Sequence, residues 1–302
     1  MSSSIRTRKA DESISATGRR NHRDGPDGSL ECSCGWPRCI FRVTMASVTR
    51  SGVKLHYIEA GTGDPSFVFI PGWCCDHTFF EPQFEYFKTS HRVVALDPRG
   101  CGRSDQPEGG YDIPSQADDV AGLCREVGIV KPVVVGHSLG GMIAIELAAR
   151  HPSLPGAIVA DDPGPIAILP EDRAVFEGLI AALEGPDASA AREAFIDGMF
   201  VPSDDAGLRR RITETMCAVP NRIAIEILRG VVTWNGVGAL GLCNAPLLVL
   251  LSGTGGSNDP PRLLALKPSV AIGVTVGAGH FHQLEVPEQV TAMIERFVKD
   301  LH

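Results

Sequence analysis

The sequence contains no long apolar run. Its longest, such as Pro132 to Gly136 and Pro246 to Leu251, are strand-sized and fall far short of the roughly 20 residues a membrane-spanning helix needs. No basic stripe stands in the part patterned for folding. The formal net charge is −8, which argues against nucleic acid as a partner. The N-terminus carries arginines with no apolar stretch behind them, so it does not read as a secretory signal. The nine cysteines show no repeated metal-ligand spacing, and the adjacent Cys74 and Cys75 are poorly placed to pair with each other. Reduced thiols, a cytoplasmic location and the absence of a metal or cofactor are the resulting expectations. No internal repeat is visible.

What is present is ordinary globular composition, 43% hydrophobic and 21% charged, in a chain long enough for one sizeable α/β unit. Residues 1–44 stand apart. They are rich in Ser, Arg, Asp and Gly, have no period and cannot bury much apolar area, so this stretch is expected to be a disordered extension. Cys32, Cys34 and Cys39 lie within it. Three clustered thiols without an obvious fourth ligand make a weak metal signal.

Folding is expected to begin at Met45. An edge strand is expected over Val53 to Glu59, after a turn at Ser51-Gly52. Apolar strands follow at Ser66–Ile70, Arg92–Leu96, Pro132–Val135, Ala157–Ala160, Pro246–Leu251 and Val270–Val276, separated by helical stretches. Continuous apolar strands alternating with helices indicate a mostly parallel sheet covered on both faces. Between Pro163 and Asn244 the pattern is helical only, around Glu171–Leu183, Ser189–Phe200, Ala206–Val219 and Arg222–Val232. The expected organisation is an α/β core over residues 45–163 and 244–302, with an all-helical cap over 164–243. Such a cap would lie over the sheet edge where open α/β sheets bind ligands.

The most informative stretch is Val133-Val-Val-Gly-His-Ser-Leu-Gly-Gly141. A strand runs into G-x-S-x-G and then into a helix. Such a turn forces strained angles on the central residue and lifts its side chain above the sheet, while small residues let the turn close. Gly136-His-Ser-Leu-Gly-Gly141 resembles the nucleophile elbow of the α/β-hydrolase family, and Asp97-Pro-Arg-Gly-Cys-Gly-Arg-Ser104 resembles that family's D-x-R-G-x-G-x-S loop, which is structural. The resemblance covers about residues 46–302. It implies Ser138 as nucleophile and an oxyanion hole from the N–H groups of Trp73 and Leu139. In the family a His-Gly pair precedes the first donor; here Pro71 stands before Gly72. Trp73, Cys74 and His137 are the expected substrate-pocket residues.

Val276-Gly-Ala-Gly-His-Phe-His282 follows the last strand, where the family places its general base. His280 fits and His282 is the alternative; a neutral imidazole there can take the serine proton. The acid is less plainly marked. Most of the family supplies it just after the strand at Pro246–Leu251, where Gly256 now occupies the position and Asp259 comes three residues late. Some branches take it from the preceding strand end, here Ala157-Ile-Val-Ala-Asp-Asp-Pro163. Asp162 is the first choice and Asp259 the second.

Serine at the elbow points away from the family's dehalogenases and epoxide hydrolases, which use Asp there. It leaves hydrolysis of an ester, lactone or carbon–carbon bond through an acyl-enzyme, acting on a partly apolar small molecule, in a monomer or homodimer. Two alternatives stay open. Pro71-Gly-Trp-Cys-Cys-Asp-His77 resembles cofactor-free ring-cleaving dioxygenases of the same fold, which carry a His where Leu139 stands. A non-catalytic receptor for a small ligand can also retain such a triad.

Overall fold

The computed structural model describes residues 42–254 and 257–301. The expected disordered extension with its three cysteines lies outside the described residues, as does Gly256; only its last residues, 42–44, are seen. The chain opens with β1 (Thr44–Arg50) and β2 (Val53–Ala60), then β3 (Phe67–Ile70), α1 (Glu81–Phe87), β4 (Val93–Leu96), α2 (Ile113–Glu126), β5 (Val133–His137), α3 (Leu139–Arg150) and β6 (Ala157–Asp161). Five helices follow: α4 (Pro170–Glu184), α5 (Ala188–Asp197), α6 (Ala206–Cys217), α7 (Asn221–Thr233) and α8 (Gly236–Leu242). The chain then returns through β7 (Leu247–Leu251), α9 (Pro260–Leu266), β8 (Ala271–Val274), α10 (His282–Glu285) and α11 (Pro287–Lys299). Among the described residues no single helix is long and apolar enough to cross a membrane.

The strands form one sheet in the order β1-β2-β4-β3-β5-β6-β7-β8. The pairs β1–β2 and β2–β4 are antiparallel and the others parallel. Strand alternation sends Phe67 and Phe69 to one face of β3 and Val68 and Ile70 to the other. On the first face Phe67 stacks on Phe87 of α1 with ring centroids 4.2 Å apart, and Val290 and Ile294 of α11 close the layer. On the second, α2 and α3 pack through Val120, Leu123 and Ile143. Each fully buried side chain of this size contributes about 1.5–3 kcal/mol.

Two boundaries differ from the sequence reading. β1 begins at Thr44, ahead of Met45, because Thr44 already pairs with Glu59. β2 is not an edge strand: it is hydrogen-bonded on both sides and mostly buried, and the mainly exposed β1 takes the edge. The helix α8 was not anticipated. Its sequence, Gly-Val-Gly-Ala-Leu-Gly-Leu, is poor in helix formers, but Asn235 caps it by accepting from the Gly238 N–H at 3.1 Å.

Candidate active site

The strand-to-helix turn at Ser138 has no slack. Ser138 has φ 53° and ψ −116°, a region that strains any residue with a Cβ. Its backbone is held on both sides. The N–H donates to the Asp161 carbonyl at 2.9 Å, and its own carbonyl accepts from Gly141 at 3.0 Å and Gly164 at 3.2 Å. A Cβ on Gly136 would strike the Gly140 carbonyl, and one on Gly140 would strike that of Ile70. Glycine is therefore required at both by contact. α3 starts directly after Ser138, so the positive end of its dipole lies behind that residue.

Ser138, His280 and Asp162 all line one cavity of about 400 Å³. Asp162 sits at the end of β6 with φ 41°. Its Oδ2 accepts from His280 Nδ1 at 2.6 Å, and its Oδ1 accepts from the Ser252 N–H at 3.0 Å. Burial alone would raise the Asp162 pKa. The hydrogen bond and charge of His280, with help from His282 and the Ser252 N–H, instead bring it down to about 2. With the carboxylate ionised, the shared proton belongs to His280 Nδ1, which leaves Nε2 free to accept another. Asp259 is placed elsewhere. It is exposed and caps α9 by accepting from the Arg262 N–H at 3.0 Å.

His280 is fixed by its backbone as well. Its N–H donates to the Met199 carbonyl at 3.0 Å, and its carbonyl accepts from His137 Nε2 at 2.8 Å. Glu285 accepts from the N–H groups of both flanking residues, Gly279 and Phe281. The other candidate, His282, is fully buried away from the cavity, with Nε2 2.7 Å from Asp161 Oδ1 and Nδ1 2.9 Å from Thr275 Oγ1. The structure thus brings His280 to Ser138's cavity and leaves His282 behind it.

Trp73 and Leu139 both border the cavity. Leu139 is the first residue of α3, so its N–H has no intrahelical acceptor. The Trp73 indole N–H donates to the Ala224 carbonyl of α7 at 3.0 Å, and its ring meets Phe195 edge-on at 5.8 Å. The other two expected pocket residues need correcting. Cys74 and His137 are not on the cavity wall; they are 1% and 0% exposed. Burial pushes the Cys74 thiol well up. Burial, reinforced by His280, pushes His137 well down, so its ring is a neutral strut. Sequence reasoning also missed the cavity's far wall: Phe176 of α4, Phe195 of α5, Met199, and Leu228 and Val231 of α7. Apolar helix residues carry no signal that separates pocket wall from core.

The closest approach to a metal-ligand cluster among the described residues is His56, His77 and Asp97, with ligand atoms within 4.8 Å of one another. Asp97 is already occupied. It accepts from both imidazole Nδ1 atoms, at 2.9 and 2.7 Å, and from the N–H groups of His77 and Arg103. Burial opposes its charge, but His77 and these N–H groups hold its pKa below the usual carboxylate range. The cluster is a hydrogen-bond hub that ties β2 to the loops after β3 and β4. Arg99 completes the tie with a two-pronged contact to Asp119, both distances 2.7 Å.

A parallel sheet covered by helices, a strained serine at a strand-to-helix turn and a His–Asp pair across the same cavity define a class. The chain belongs to the alpha/beta hydrolase fold family, whose model matches residues 65–287. It is 32% identical over 159 residues to 2-(acetamidomethylene)succinate hydrolase of Mesorhizobium japonicum, a stretch covering 52% of this chain and 57% of the relative. It is 40% identical over 111 residues to the bifunctional esterase/perhydrolase DCH of Acinetobacter calcoaceticus, covering 36% and 40%. A thermophilic esterase from Thermogutta terrifontis superposes with a TM-score of 0.75 at 23% identity, over 86% of this chain and 99% of that one. The matched stretches thus span about half the length of the curated relatives.

Proposed function

We propose that this chain is a serine hydrolase that cleaves an uncharged carboxylic ester or related acyl bond. Ser138 is the nucleophile, His280 the general base and Asp162 the acid. The observation that carries this reading is the 2.6 Å hydrogen bond between His280 Nδ1 and Asp162 in the cavity that Ser138 lines. Ser138 Oγ attacks the substrate carbonyl while His280 Nε2 takes its proton; Asp162 stays ionised and stabilises the imidazolium. The N–H groups of Trp73 and Leu139 receive the developing oxyanion. His280 then protonates the leaving group, and water attacks the acyl-enzyme by the same route in reverse.

The cavity supports an uncharged, partly apolar substrate. Its volume of about 400 Å³ lies in the small-molecule range. No Lys or Arg is among the described residues that line it. The Mesorhizobium relative is named for a succinate, whose carboxylates would call for cations in the wall. Hydrolysis of p-nitrophenyl butyrate, with covalent labelling by a fluorophosphonate, is the test. Ser138→Ala should abolish labelling and lower kcat on the order of 10⁶-fold. Oxygen uptake in place of ester cleavage, or turnover that survives Ser138→Ala, would overturn the proposal.

A further inference from the structure

A second carboxylate–imidazole pair stands directly behind the first. Asp161 precedes Asp162 at the end of β6, and His282 follows His280 by two residues. Asp161 Oδ1 and His282 Nε2 are 2.7 Å apart, and both side chains are fully buried. Neither touches the cavity. Resting on the reading of Ser138, His280 and Asp162 above, we propose that Asp161 and His282 are positioning residues. Their ion pair locks the loop that carries the base to the strand that carries the acid.

The connection skips a strand of the sheet. β6 and β8 are not neighbours; β7 lies between them. The pair therefore spans the end of β7. His282 is braced from the far side, where Nδ1 meets Thr275 Oγ1 at 2.9 Å and the Thr275 N–H donates to the Leu251 carbonyl of β7 at 3.0 Å. The same Asp161 accepts the Ser138 N–H through its carbonyl. One residue thus joins the backbone of the nucleophile to the loop of the base.

The charge state follows from the surroundings. The Asp161–His282 contact has ion-pair distance without hydrogen-bond alignment, and among the described residues no aligned donor reaches the Asp161 carboxylate. A buried carboxylate so placed is costly unless a cation faces it. Burial works against a charged His282, but Asp161, followed by Asp162 and Glu285, outweighs it and raises the pKa. His137 is a buried titratable ring on which both His280 and His282 act. During turnover His280 alternates between neutral and charged, so its bond to Asp162 tightens and loosens. The sealed pair behind it does not cycle and keeps the loop in register throughout. Small displacements of a positioned base are enough to slow an enzyme about 10²-fold.

The test removes the charge without leaving one partner alone. The double variant Asp161→Asn/His282→Gln should fold with a Tm near that of the parent. Its kcat should fall at least about tenfold with KM within about twofold. The acid limb of its kcat/KM profile should move, and the downfield His280 Nδ1 proton resonance should shift or broaden. A double variant with the parent's kcat, pH profile and resonance would show the pair to be structural filling only and would overturn the inference. Should the double variant not fold, Thr275→Val removes the brace alone. A fall of about two- to fivefold in kcat at constant KM supports the inference, and an unchanged kcat defeats it. Failure of the underlying triad reading shows separately, as a parent protein that fluorophosphonate does not label.

Discussion

The floor of the cavity is made from turns at the ends of β5 and β6 and the loops after β3 and β8; its roof is made from faces of α4, α5 and α7. On the floor almost every atom that matters is fixed by a hydrogen bond or a forbidden Cβ. Ser138 is gripped through its backbone, and Asp162 and His280 grip each other. On the roof Phe176, Phe195, Leu228 and Val231 are placed by helix packing. Floor positions require a particular group at a particular point, whereas roof positions require only apolar volume. On the function proposed above, the floor should govern the rate, and the roof what is held there.

That division can be broken at four points, taken from the largest expected effect downward. Asp162→Asn keeps the shape of the floor but lets Nδ1 of His280 lose its fixed tautomer; kcat should drop on the order of 10⁴-fold in steady-state assays. Equal loss in Asp259→Asn would reverse the assignment of the acid. Phe176→Ala enlarges the roof. It should raise KM for long acyl esters about tenfold and leave kcat within about twofold, and a matching fall in kcat would blur the division. The third point is pH. His137 is buried and its pKa depressed, so below about pH 6.5 the unfolded chain binds a proton that the folded chain refuses. Stability should fall on acidification from pH 7 to 5, by at most about 1.4 kcal/mol per pH unit from this group, and calorimetry of His137→Gln should show a flatter profile. Asp162 adds a second loss only below about pH 4, as the pH approaches its folded value of about 2. The smallest effect is at Asp259→Ala, which removes an N-cap: about 1 kcal/mol of stability and no change in kcat.

The same division explains what the sequence made legible. Ser138 and its glycines could be read because their constraints are local: a turn that tight admits few residue types. Asp162 could be read because it ends a strand beside the elbow, although Asp259 competed until the chain's path showed it capping α9. His137 was misread as a pocket residue. It is the last residue of β5, and alternation turns it into the body of the protein while Ser138 rises above the edge. The roof was illegible in detail because apolar helix faces look alike whether they line a core or a cavity. The Asp161–His282 contact was also out of reach, since it depends on how the ends of β6, β7 and β8 are staggered. The doublet Asp161-Asp162 and the alternation His280-Phe-His282 were its only traces.

One hydrogen bond crosses the division: the His280 N–H donates to the carbonyl of Met199, in the stretch between α5 and α6, and Met199 is itself part of the cavity wall. A guest that displaces this wall must stretch or break a bond to the backbone of His280. On the function proposed above, occupancy and competence should be coupled in opposite senses for large guests. Esters that fit under Met199 should be turned over, while bulkier ones that lift it should be held beside a displaced His280 and act as competitive inhibitors in steady-state assays.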